Sequence, residues 1–226
     1  MPNVVITGAN RGIGLALARR YAAAGWQVHA GVRRPEAAEA LRALPGVSLH
    51  PLEVADQASI EAFAAALAGL PVDHLVNNAG VLGARHTDFG HTRLDDWLAV
   101  LRVNSAAPFV LTERLAPNLA AGEGRRVGVI SSSLGSIARA ENDWPAPYAV
   151  SKAAVNMVVR QLSLYLAERG IAVLALDPGW VRTDMGGGEA DHAVEDSAAG
   201  LFERMTTAGL DMSGGFYRFD GTALPW

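Results

Sequence analysis

Cysteine is absent from all 226 residues. That excludes disulfides and thiol nucleophiles, fits a reducing compartment, and makes a cytoplasmic location the expectation. No basic run exceeds two residues and the net charge is −4, so a nucleic-acid surface is not expected. No apolar stretch approaches the ~18 residues of a membrane span. Met1-Pro2-Asn3 leads straight into apolar residues, without the basic-then-apolar pattern of a secretory leader. Histidine is sparse, and His86 and His91, five apart, have no third ligand at helical or turn spacing, so no metal site is expected. There is no internal repeat and no low-complexity linker. What remains, 50% hydrophobic and 19% charged residues, has the material for a core and reads as a single domain over residues 1–226.

Short apolar runs alternate with helical patterns. Val4-Val5-Ile6, residues 27–32, 47–50, 72–76, 126–130, 171–176 and Phe216-Tyr217 read as strands. Helices are expected after Gly14, after Asp56 or Ser59 as a cap, over 94–119, from Tyr148 to Arg169-Gly170, and over 193–206. This alternation predicts an α/β fold of the doubly wound Rossmann kind, a parallel sheet of about seven strands with helices on both faces. Ligands then sit at the C-terminal strand ends, where the motifs below all lie. Residues 184–210 form a C-terminal loop and helix on the substrate side; three consecutive glycines there predict mobility.

Gly8-Ala9-Asn10-Arg11-Gly12-Ile13-Gly14 follows a strand and opens a helix. Glycines let backbone approach a pyrophosphate, and a helix N-terminus offers free N–H groups and the positive end of its dipole. The second strand runs into Arg33-Arg34-Pro35 with no acid to hold a ribose 2′-hydroxyl; a guanidinium there suits a 2′-phosphate, and Arg11 is placed to reach the same group. The other reading of both arginines is a solvated surface. NADP(H) is therefore expected over NAD(H).

Tyr148 and Lys152 are one helical turn apart, so their polar ends share a face. A neighbouring cation favours the phenolate, and the expectation is a tyrosine acidity pulled toward working pH. A helix-capping tyrosine beside a solvated lysine is the plain alternative. Pro108 stands four residues after Asn104; having no N–H, it should leave the Asn104 carbonyl without its helical partner and bend the helix. Trp144, Trp180 and Met185 either line an apolar pocket or belong to the core.

The motifs Thr7-Gly8-x-x-x-Gly12-x-Gly14, Asn77-Asn78-Ala79-Gly80, Asn104, Ser132, Tyr148-x-x-x-Lys152 and Pro178-Gly179-x-x-x-Thr183 occur in this order. Together they resemble the single-domain short-chain dehydrogenase/reductase family across nearly the whole chain. Residues 131–137, 178–185 and 216–226 are similar to its C-factor/Sniffer-like carbonyl reductase branch. The resemblance implies roles. Tyr148 is the general acid or base, Lys152 lowers its pKa and holds the nicotinamide ribose, and Ser132 bonds the substrate carbonyl. Ser132 is preferred to Ser131 and Ser133 because Gly135 completes the Ser-x-x-Gly spacing. Asn104 lends its backbone carbonyl to a water-mediated proton relay. Gly8, Asn10, Arg11, Gly12, Ile13, Gly14 and Arg33 face the phosphates. Glu53, Val54, Asn78, Ala79 and Gly80 face the adenosine side. Pro178, Gly179, Val181 and Thr183 meet the nicotinamide. Glu53 departs from the family's usual Asp by one methylene. The implied activity is NADP(H)-dependent reduction of a small ketone or aldehyde, or oxidation of a secondary alcohol. A signalling or sensor protein using the same fold is the alternative. Helices over 94–119 and 148–169 are apolar on too many sides to bury against the sheet alone, so a homodimer or homotetramer is expected.

Overall fold

A computed structural model describes residues 1–84, 89–141 and 145–226. His86 and Trp144 lie outside the described residues. The strands are β1 (Asn3–Thr7), β2 (Gln27–Val32), β3 (Val47–Pro51), β4 (His74–Asn77), β5 (Arg126–Ile130), β6 (Ala172–Asp177) and β7 (Phe216–Arg218). They form one sheet in the order β3-β2-β1-β4-β5-β6-β7, every pair parallel. The order reverses between β1 and β4, the place where an open α/β sheet parts to admit a ligand.

Alternation along each strand sends side chains to two cores. On one face Val5, Leu75, Val127, Val129 and Val173 pack against α3 (Gln57–Ala66), α5 (Ala107–Ala121) and α6 (Ala146–Leu166). On the other, Val4, Ile6, Val76, Leu174 and Leu176 meet α1 (Gly12–Ala23), α2 (Glu39–Arg42) and α7 (Val194–Thr207). Asp56 caps α3 by accepting from Ala58 N at 3.3 Å and Ser59 N at 3.2 Å, as its short carboxylate permits. Helix α6 runs through a 3-10 turn, Ala167–Arg169, to Gly170 in the left-handed region at φ +66°.

The single helix expected over 94–119 is divided. Leu94–Leu101 (α4) gives way to a π turn over Arg102–Ala106 before α5 begins. Pro108 is the physical reason the α pattern cannot continue: it has no N–H for the Asn104 carbonyl. Among the described residues no helix is long and apolar enough to cross a membrane, and no cluster of three metal-ligating side chains is present.

Candidate functional site

The C-terminal ends of β1, β4, β5 and β6 bring the motifs together. Gly8 (φ +64°) and Gly12 (φ +52°) take the left-handed turn that a side chain resists. A Cβ on Gly14 would sit 2.5 Å from both Asn78 Nδ2 and the Gly8 carbonyl oxygen, so only glycine lets α1 start there. Asn78 Nδ2 donates to the carbonyls of Thr7 at 2.9 Å and Gly8 at 3.1 Å, while Thr7 Oγ1 accepts from the N–H groups of Asn78 and Ala79, each at 3.0 Å. Asn78 thus holds the glycine-rich loop against β4. Arg11 precedes α1 without a side-chain cap, so no side chain of that residue covers the first N–H groups.

Arg33, just past β2, is exposed, and its side chain has no hydrogen bond or ion pair among the described residues. Arg11, expected to reach the same anion, pairs with Asp184 Oδ2 at 3.1 Å across the cleft. Opposite charge draws it there, and because both groups are exposed the pair is weak and exchangeable. A depression of about 300 Å³ beside this pair is walled by Arg11, Arg19 and Arg182, giving the region a cationic lining. Glu53 Oε1 accepts from Ala55 N at 3.0 Å, a curl back onto its own turn that the extra methylene permits. Val54 packs on the core beside it.

Tyr148 and Lys152 lie in the opening turns of α6. Lys152, the chain's only lysine, is 4% exposed and donates to the Ile130 carbonyl at 2.8 Å; its Nζ lies 5.5 Å from the Tyr148 ring centre. Burial pulls the Lys152 ammonium down to about 8, opposed by the charge of Asp177. The expectation that the lysine would draw Tyr148 toward neutrality is corrected. Burial, and then Asp177, push the phenol up to about 12, against which stands a hydrogen bond from Ser132. Desolvation of the phenolate outweighs the nearby cation.

The three serines separate by environment. Ser131 is buried and its Oγ donates to Asn156 Oδ1 at 2.6 Å. Ser133 gives its backbone N–H to Asp177. Ser132, half-buried, is the one whose hydroxyl acts on Tyr148, favouring its phenolate. Gly135 explains the Ser-x-x-Gly spacing: a Cβ there would stand 2.5 Å from the Lys152 carbonyl carbon, so glycine lets the serine loop lie directly on α6.

Asn104 is buried in the π turn. Its Oδ1 accepts from Val81 N at 2.9 Å, and its Nδ2 donates to Val81 O at 2.8 Å and Ser151 Oγ at 2.9 Å. Ser151 Oγ donates to the Tyr148 carbonyl at 2.7 Å, and Ser105 Oγ to the Ser151 carbonyl at 2.8 Å. Asn104 and Ser105 therefore anchor the turn that carries Tyr148. Ser105, Ser151 and Asn156 escape sequence reasoning because serine and asparagine in helical patterns carry no distinguishing signal.

Gly179 (φ +74°) turns the chain under His192 and Phe219, whose rings leave no room for a Cβ. Val181 is buried, and Thr183 presents its methyl to Gly12 across the cleft. Two of the three glycines expected to be mobile carry hydrogen bonds: Gly186 N donates to Thr183 Oγ1 at 3.1 Å, Gly187 N to Thr183 O at 2.8 Å, and Trp180 Nε1 to Gly186 O at 2.8 Å. Trp180 and Met185 are 46% and 38% exposed, which removes them from the core.

The family profile described as short chain dehydrogenase matches residues 2–193. C-signal of Myxococcus xanthus is 36% identical over 167 residues, covering 74% of this chain and 100% of that protein. The crystal structure of an NADPH-bound carbonyl reductase from chicken fatty liver superposes with a TM-score of 0.93 at 34% identity, covering 100% of this chain and 99% of that one. Carbonyl reductase Sniffer of D. melanogaster gives a TM-score of 0.92 at 28% identity, covering 100% of both chains.

Proposed function

Because the chain belongs to the short chain dehydrogenase family, we propose that it is an NADP(H)-dependent oxidoreductase acting on a small ketone or aldehyde, or on the matching secondary alcohol. The observation that carries the reading is the juxtaposition of Ser132, Tyr148 and Lys152 at the end of β5, with the Ser132 hydroxyl close enough to Tyr148 to favour its phenolate and Lys152 Nζ on the Ile130 carbonyl. A serine hydroxyl and a phenol side by side can hold one carbonyl oxygen and deliver a proton to it.

The residues present fit the dinucleotide. Gly8, Gly12 and Gly14 make a turn that side chains would fill, beside the uncapped start of α1, which suits a pyrophosphate held by Asn10, Gly12 and Ile13. Arg33, exposed and unpartnered among the described residues, suits the 2′-phosphate. The chicken relative that superposes so closely binds NADPH. When bound, the cofactor supplies the hydride. Tyr148 donates the proton to the substrate oxygen, Ser132 orients that oxygen, and Lys152 places positive charge below them. Pro178, Gly179, Val181 and Thr183 close the nicotinamide end, Asn78, Ala79 and Gly80 the adenosine side, and the Asn104 carbonyl supports the proton relay. Trp180 and Met185 offer apolar surface to the substrate. Exposed Leu94 and Leu98 on α4, and Val150, Met157 and Leu164 at seven-residue intervals on α6, support a homodimer or homotetramer.

The test is consumption of NADPH and NADH against a panel of carbonyls, followed by the nicotinamide absorbance, for the wild type and Arg33→Ala. NADPH should be preferred, and the substitution should weaken NADPH by about 10- to 100-fold while sparing NADH. Tight NADPH binding with no turnover of any carbonyl would favour a sensor, the reading that the likeness to C-signal keeps in view.

A further inference from the structure

An ammonium taken out of water gives up its proton unless a counter-charge holds it. Lys152 is such a group, and its one hydrogen bond among the described residues goes to a neutral carbonyl, that of Ile130. Ile130 pairs in register with Leu176, and the next residue is Asp177, 3% exposed at the end of β6. Its Oδ1 accepts from Gly179 N at 3.2 Å, and the Ser133 N–H stands near enough to favour the carboxylate. One carboxylate therefore ties the serine loop to the Pro178-Gly179 turn. Every element around it presents a charged or titratable group: Tyr148 and Lys152 from α6, Arg139 from the loop after β5, and Arg218 from β7, its register partner. Arg218 in turn meets His192 Nε2 at 2.7 Å, under the Gly179 turn.

We propose that Asp177 is a positioning residue for proton transfer, its carboxylate serving as the counter-charge that keeps Lys152 an ammonium and Tyr148 a protonated phenol. The charges have the required signs. Asp177 opposes the burial that lowers Lys152 and adds to the burial that raises Tyr148. Burial raises the proton affinity of Asp177 itself, and the two backbone amides with Arg218 and Arg139 act against it. A protonated Tyr148 over a charged Lys152 is the state that carbonyl reduction needs, so the kinetic part of the inference rests on the proposed function; the electrostatic part does not.

The chain's single lysine makes the test direct. Lysine labelled with ¹³C at Cε gives one resonance, whose pH titration reports Lys152 alone. The wild-type midpoint should lie near 8. In Asp177→Asn, which keeps an oxygen for Gly179 N, it should fall by about one to three pH units, and Asp177→Glu should bring it part of the way back. Equal midpoints in the wild type and Asp177→Asn would overturn the proposal. If Asp177→Asn fails to fold while Asp177→Glu folds, the charge rather than the shape holds the cluster, which supports it; failure of both overturns it. In kinetics, the alkaline limb of kcat/KM for reduction should move to lower pH in Asp177→Asn, since Tyr148 and Lys152 both lose protons sooner; an unmoved limb counts against the proposal. A shifted lysine midpoint in a protein that reduces no carbonyl would defeat the functional reading alone.

Discussion

The two ends of the sheet both bury polar side chains, and they do opposite things with them. At the N-terminal strand ends, Tyr21 Oη meets His74 Nδ1 at 2.9 Å, His74 Nε2 meets Arg126 Nη1 at 3.3 Å, and Arg126 Nε donates to Ala208 O at 2.6 Å. Asp73 accepts from the N–H groups of Asn3, Glu123 and Gly124 at 2.7, 2.8 and 3.0 Å. The rings of Trp26 and Phe202 close over this cluster. At the C-terminal ends, Tyr148 and Ser132 keep part of their surface open, and left-handed glycines at 8, 12 and 179 bring backbone rather than side chains to the cleft. A buried polar cluster whose members satisfy one another is a fastening. One that retains an approachable hydroxyl beside a buried ammonium and carboxylate has capacity for chemistry. Burial alone does not separate them; the direction in which the donors and acceptors face does.

The strongest way to break this contrast is to remove one hydroxyl from each end. Tyr148→Phe should lower kcat for carbonyl reduction by about 10² to 10⁴ while leaving dinucleotide binding and thermal stability near wild type. Tyr21→Phe should leave kcat unchanged and cost about 1–3 kcal/mol of stability in urea unfolding, because His74 Nδ1 is left buried without its partner. A large loss of activity from Tyr21→Phe, or full turnover by Tyr148→Phe, would erase the distinction.

Acid should attack the buried histidines before the cleft. Burial lowers His74 to about 3 and His29 to about 4, and lowers His50, which stands 3.3 Å from His29. All three fold as neutral imidazoles, whereas the unfolded chain protonates them near the ordinary value of 6.5. A depressed folded value means that stability is complete above about 6.5 and declines as pH falls toward 4, because the unfolded state takes up the protons first. The slope reaches about 1.4 kcal/mol per pH unit for each histidine titrating. Urea midpoints measured from pH 7 to pH 4 should fall, and His50→Gln should flatten the decline by relieving the His29–His50 pair. An unchanged slope would mean these histidines do not govern acid sensitivity.

The same contrast explains what could be read without coordinates. All seven strands announce themselves as short apolar runs, and the glycine-rich turn and the Tyr148–Lys152 spacing are local patterns that survive in one dimension. The segment from Arg33 to Gly46 gave no such pattern, and the four-residue helix Glu39–Arg42 within it is too short to show a period. The π turn at Arg102–Ala106 had only Pro108 as its trace. Spacing shows the cation beside Tyr148 and conceals the burial that sets the sign of its shift. Asp177 and His74 were invisible for a further reason. Their importance lies in partners far along the chain: Tyr148 and Lys152 for the first, Tyr21, 53 residues away, for the second.

The smallest expected effect sharpens the comparison from the surface. Arg11 and Asp184 join the glycine-rich loop to the segment after Thr183 at 3.1 Å, yet both are well exposed. Water and salt screen such a pair, and two side chains must be ordered to form it, so it contributes about 0–1 kcal/mol at most. Arg126 makes contacts of similar length, but to His74 and the Ala208 carbonyl in a part-buried setting. Arg11→Gln should therefore leave the urea midpoint nearly unchanged, and what little it changes should vanish as salt rises and the Debye length falls below about 8 Å. Arg126→Gln should lower the midpoint at every salt concentration, because His74 and Ala208 lose a donor that water cannot replace. Equal, salt-insensitive losses from the two substitutions would show that the cleft is fastened as firmly as the opposite end of the sheet, and that its openness is only apparent.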